Sequence, residues 1–198
     1  MKKPFWKRVN RGFVVSMALL AAVLIYVLVT QLMLLPEKKA IRVLGEEMRS
    51  MMESSTKLTK EEIEALKDSG AFEKRSKELE TQLESLLMKD AANPDAALQS
   101  LTGQMTLQME GMQRINSRTN PKRTENRCVV EQDTATLSLC YEYDIQGEFW
   151  DYATEKPVER TGKQRINVGL VCKKVDGEWK IFRISYFDAY TYGERGAW

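Results

Sequence analysis

The sequence predicts an α+β protein tethered by a transmembrane helix, with further helices packing on a curved antiparallel sheet of three to four strands. Three observations carry that expectation. The 24 residues from Gly12 to Leu35 hold no charge. Apolar residues then recur at spacings of three and four to about residue 115, the period of one helical face. From Thr124 onward the period falls to two, and β-branched and aromatic residues become frequent. Helices followed by a run of strands is the α+β order. The expected organisation is a basic tail (1–11), a transmembrane helix (12–35), a membrane-proximal helical segment (36–92), an α+β domain (93–190) and a C-terminal tail (191–198).

As a helix, the uncharged run spans about 36 Å, against a hydrocarbon core of about 30 Å. Fourteen of its residues are Phe, Val, Leu or Ile, which favours insertion by roughly 4 to 8 kcal/mol. A cleaved signal peptide has an apolar stretch of only about 7 to 15 residues ending at a small-residue site. Here Leu34, Leu35 and Pro36 stand at that place. The run is therefore expected to remain as an anchor in the lipid bilayer. Lys2, Lys3, Lys7, Arg8 and Arg11 precede it with no acid among them, and basic flanks are retained in the cytoplasm. The expected localisation is a single-pass cell-membrane protein with a cytoplasmic N-terminus and an extracytoplasmic domain. Lys38, Lys39, Arg42 and Arg49 on the other flank narrow that margin.

Beyond Pro36, Ile41, Leu44, Met48 and Met51 mark a helix above the membrane. Thr59 and Glu62 fit a capping box opening a short helix through Lys67, closed by Asp68, Ser69 and Gly70. A longer helix begins near Ala71 and buries Phe72, Ser76, Leu79, Leu83 and Leu86. Asn93 offers an N-cap and Pro94 a first helical position for a further helix to about Ile115, lined by Leu98, Leu101, Met105, Met109 and Met112. Fewer than three clean heptads run unbroken, so these helices are expected to cover a sheet. A self-associating stalk, giving a homo-oligomer through the first of them, is the alternative.

A solvated linker is expected around Asn120 and Pro121. It carries Arg114, Arg118, Lys122, Arg123 and Arg127, a candidate contact for anionic head groups or an acidic partner. In the next strand Ala135, Leu137, Leu139, Tyr141, Tyr143 and Ile145 share one face, and Thr134, Thr136, Ser138, Glu142 and Asp144 the other. A second strand, from Thr161 to Lys174, buries Ile166, Val168, Leu170 and Cys172. A third runs from Glu178 to about Tyr190. Asp176 and Gly177 join these last two as a two-residue hairpin turn. Strands this long exceed the usual five or six residues, which predicts strong twist and curvature. Cys140 and Cys172 fall on opposite faces by parity, so buried free thiols are expected rather than a bridge.

The chain contains no histidine, which removes the side chain best matched to proton transfer near neutral pH and the commonest transition-metal ligand. Cys128, Cys140 and Cys172 have no metal-ligand spacing. No metal, cofactor or catalytic constellation is expected, and no Gly-rich phosphate loop occurs. The residues after the basic tail sum to a charge of minus three. Nucleic acid is therefore a poor candidate partner.

The long strands, together with the ending Asp176, Gly177, Glu178, Trp179, Lys180, Ile181, Phe182, resemble the nuclear-transport-factor-2-like (NTF2-like) superfamily, a cone-shaped α+β roll. The resemblance covers roughly residues 95–190. It extends in architecture to the periplasmic assembly component of type IV secretion machines. It implies a cone lined by Tyr141, Tyr143, Phe149, Trp150, Ile166 and Trp179, with Tyr143, Asp144, Tyr186 and Asp188 as the acids or bases an enzyme would use. Neighbouring residues point to opposite faces, so Tyr143 and Asp144 cannot both enter one cavity. The leading expectation is a non-catalytic, membrane-tethered interaction or scaffold domain, a subunit of a cell-envelope assembly with other membrane or envelope proteins as partners. A small-ligand binder or enzyme working inside the cone is the alternative.

Overall fold

The structure, a computed structural model, describes residues 11–193. Four helices and five strands follow in the order α1 (Arg11–Thr56), α2 (Lys60–Leu66), α3 (Ser69–Leu86), β1 (Leu87–Ala92), α4 (Pro94–Met109), β2 (Gln113–Glu131), β3 (Thr134–Asp151), β4 (Lys156–Val175) and β5 (Glu178–Tyr192). The described residues fall into two compact units that divide between Lys39 and Ala40. Residues 1–10 of the basic tail lie outside the described residues, as do 194–198 of the C-terminal tail.

In the first unit the apolar run is helical, and its best 18-residue stretch has a mean hydropathy of 2.7 with none of it buried. Side chains such as Leu20, Leu24 and Leu28 are open on all sides, as expected for a helix whose partner is lipid. It is the one helix among the described residues long and apolar enough to cross a membrane. Pro36 sits inside α1 without ending it.

The second unit is built on a sheet of order β1-β5-β4-β3-β2. Strands β2 to β5 form an antiparallel meander, and β1 adds to β5 in parallel. The tight turn joining β4 to β5 has Asp176 at φ 52° and Gly177 at φ 87°, the left-handed pair that a primed two-residue turn demands. Register shifts interrupt β2 three times and the β4–β5 ladder twice. Such bulges sharpen local twist and bend long strands.

The alternation along β3 and β4 decides which face is buried. Leu137, Leu139, Tyr143, Ile145, Ile166, Val168, Leu170 and Cys172 all turn inward and share one core with Ile41, Met48 and Met52 of α1, Leu79 and Leu83 of α3, and Leu101 and Met105 of α4. The approach of α1 is close: a Cβ on Gly45 would stand 2.4 Å from Leu137 Cδ2 and 2.7 Å from Leu139 Cδ1.

Five strands replace the expected three to four. Strand β1 is short (LMKDAA), with its two charged residues adjacent at the middle and no alternation to reveal it. Residues 113–123, expected as linker and helix end, belong to β2. Helix α4 stops at Met109 because Gly111 takes φ 74°, so Ile115 is buried from a strand. Asn93 caps nothing with its side chain; at φ 64° it makes the left-handed turn from β1 into α4, with Pro94 at the first helical position as expected. The capping box of Thr59 and Glu62 is present. Strand β5 runs two residues past the expected end, taking in Thr191 and Tyr192 of the expected tail. Cys140 stands opposite Asn167 in the ladder, and none of the three cysteines is in a disulfide.

Candidate functional site

The cationic residues of β2 are adjacent in sequence but divided in space. Arg114, Lys122 and Arg127 stand opposite Glu148, Glu142 and Ser138, on the outer face of the sheet. There Arg114 is paired with Glu148, and Glu125 accepts from Ser138 at 2.5 Å. Arg118 and Arg123 stand opposite Ile145 and Tyr141, on the inner face that α1 covers. The five do not form one basic patch.

On the inner face a polar cluster forms where the last turns of α1 cross β3. Arg49 Nε donates to Glu46 at 2.6 Å, and its Nη1 donates to Glu53 and, at 3.0 Å, to the Tyr143 hydroxyl. Tyr143 in turn donates to Glu53, and Tyr141 donates to Glu46 at 2.5 Å. Arg118 donates to the Glu53 carbonyl at 3.1 Å and to Thr56 Oγ1 at 2.5 Å, tying β2 to the end of α1. The two guanidinium groups also lie over rings, Arg49 at 4.7 Å from the Tyr141 centroid and Arg118 at 5.4 Å from that of Tyr143. Partly desolvated cation–π contacts of this kind contribute about 1 to 2 kcal/mol.

The electrostatics follow from that wiring. Burial, then the bond to Glu53, raises the Tyr143 hydroxyl well above an ordinary tyrosine. Arg118 is pulled down by burial, with the field of Glu53 opposing. For Arg49, burial is outweighed by its bonds to Glu46 and Tyr143, so it is held more firmly charged. A phenol kept neutral and already donating to a carboxylate is poorly placed to abstract a proton.

Outside the cluster lies an open cleft of about 730 Å³, walled by Arg49, Glu53, Lys57, Arg118, Pro121, Arg123, Tyr141 and Tyr143. Glu53, the carboxylate in that wall, is engaged by Arg49, as is Glu46, which Tyr141 also holds. Lys57 and Arg123 are exposed and enter no ion pair among the described residues.

Of the residues expected to line a cone, Tyr141, Tyr143, Phe149 and Ile166 share the inner face. Trp179 is buried at the start of β5, under Lys174. Trp150 pairs with Pro157 and by parity points outward. The inner face is filled around them: Ile41, Met48, Met52, Leu101, Met105 and Ile166 are fully buried. Asp144, Tyr186 and Asp188 all lie on the outer face. There Asp144 pairs with Lys163 at 2.6 Å, Asp188 accepts from Asn167 at 2.7 Å, and Tyr186 lies across Gly169.

Sequence reasoning missed two buried polar residues. Gln108 accepts from the Leu58 N–H at 2.9 Å and donates to the Ser55 carbonyl at 2.8 Å, joining α4 to the α1–α2 turn. Gln164, opposite Tyr143, is fully buried with neither amide atom hydrogen-bonded within the protein. Its inward parity with Ile166 and Val168 was the available signal.

No protein-family model and no curated protein matches the chain. Several solved structures align to it. They include an NTF2-like protein from Cytophaga hutchinsonii, at 16% identity over 57% of this chain and 82% of that one, TM-score 0.26. A nuclear transport factor 2 superfamily protein from Salmonella enterica aligns at 13% identity over 59% and 80%, TM-score 0.29. The intermembrane-space region of the chloroplast protein ARC6 aligns at 12% identity over 58% and 78%, TM-score 0.26. Likenesses of this extent carry nothing about activity.

Proposed function

We infer that the chain is a non-catalytic, membrane-anchored interaction or scaffold domain, held on the extracytoplasmic side as a subunit of a cell-envelope assembly. One observation carries the reading: the inner face of the sheet, where a roll of this kind would admit a substrate, is occupied by Ile41, Met48 and Met52 of α1 and by Leu101 and Met105 of α4. A surface set on a filled core suits contact with other proteins, and the apolar helix suits a tether. Photo-crosslinking groups placed singly over the exposed surface of the full-length protein, in its native membrane, provide the test. Recovery of one recurrent partner from neighbouring positions is expected. Absence of any protein adduct from every position overturns the reading.

Gln164 favours a second reading. A buried amide with no partner costs about 1 to 3 kcal/mol, and a small polar ligand between the helices and the sheet would satisfy it. A screen of small polar metabolites by thermal shift tests this. Stabilisation lost in Gln164→Leu supports a ligand site, and Gln164→Leu stabilising the protein with no hit in the screen removes it.

A further inference from the structure

We propose that the free edge of β2, with the cleft beside it, docks an extended acidic segment of a partner protein; this names the surface and partner class for the interaction domain inferred above, and rests on that reading.

Strand β2 is the last of the sheet, 19 residues long, with one side paired to β3 and the other open. An open edge presents alternate N–H and C=O groups to any extended chain laid beside it. The stretch 125–131 is regular in its pairing with β3, so its outward groups are evenly spaced for a ladder. Just before it, shifts between Thr119 and Lys122 and between Arg123 and Glu125 break the register. This bulged stretch sits at the cleft, where Arg123 stands exposed and Lys57 faces it from the end of α1.

Charge selects the occupant. Glu46 and Glu53 offset Arg49 and Arg118, which leaves Lys57 and Arg123 as the uncompensated positive charge at the cleft. Arg118 keeps its Nε unpaired despite being buried. A second copy of this chain is a poor occupant, because antiparallel pairing of two copies through 125–131 would set Glu125 against Glu131. Lys57 and Arg123 favour a strand that brings its carboxylates to the cleft end of the edge. A lipid head group would use the charge but not the open backbone groups.

The test uses the full-length protein in nanodiscs of zwitterionic lipid. Its probe is a fluorescein-labelled dodecapeptide alternating glutamate and valine, set against its lysine counterpart and against vesicles rich in phosphatidylglycerol. The glutamate peptide is expected to bind, more weakly as salt rises, and to slow hydrogen exchange in residues 125–131. Lys57→Glu with Arg123→Glu should weaken it about tenfold or more while leaving the melting temperature unchanged. Lys74→Glu, on the outer side of α3, should leave binding unaltered. Equal binding of both peptides, no protection of 125–131, indifference to the charge reversal, or charge-dependent capture of vesicles instead of the peptide each overturns the proposal. Crosslinking to a partner elsewhere, with the peptide failing, removes this edge alone and leaves the scaffold reading standing.

Discussion

Two side chains and two glycines show how local chemistry sets limits on the fold. A Cβ on Gly147 would stand 2.2 Å from the Arg114 carbonyl oxygen, a backbone atom that cannot turn aside. Gly147→Ala must part β2 from β3, and a loss of about 1 to 3 kcal/mol is expected in urea unfolding. Gly169 differs, because its near neighbour is the Tyr186 ring, which can swing outward; Gly169→Ala should cost clearly less. Cys172 gives a pH dependence. Burial pushes its thiol up to about 12, against about 8.5 in an unfolded chain. The folded state therefore holds the proton more tightly. The associated stability is whole below about pH 8.5 and is lost as pH climbs toward 12. Tyr143, also raised, adds to the alkaline decline. Cys172→Val should flatten part of a pH series of denaturant midpoints between pH 9 and 12.

The elements differ in how plainly they are written. The capping box at Thr59, the Asp176-Gly177 turn and the alternation of β3 are each local signals with one geometric meaning, and each is realised. Thr59→Ala should cost about 1 kcal/mol, measured as a fall in thermal midpoint. The illegible elements are those whose state is decided by distant neighbours. Strand β1 is a strand because β5 offers it an edge, and residues 113–123 are extended because β3 runs alongside them. Neither carries the apolar alternation that betrays a strand, since β1 is short and β2 is an edge with little to bury. At the candidate site the same division holds. Tyr141 and Tyr143 were readable by parity, whereas Glu46, Arg49 and Glu53 meet them only because α1 lies on the inner face of the sheet.

For the whole second unit, the last turns of α1 are part of the core and not a stalk beneath it. Burying Ile41, Met48, Met51 and Met52 is worth roughly 6 to 12 kcal/mol at about 1.5 to 3 kcal/mol each, comparable to the entire net stability of a domain. A chain beginning at Ala40 is therefore expected to fold and remain soluble. One beginning at Leu58 should expose the inner face of β3 and aggregate, as sedimentation or light scattering would show. The close seat of Gly45 on Leu137 and Leu139 also imposes an order in time. A ribosome adding about 5 to 20 residues each second completes Gly45 several seconds before the strand it rests on exists. During that interval the methionine-lined side of the helix has no partner of its own. Strands β2 to β5 can zip together by successive hairpins as they emerge, but closure onto α1 is a long-range step that must wait for them. Biogenesis of this protein thus contains a waiting period, in which the first helix made is the last to be packed.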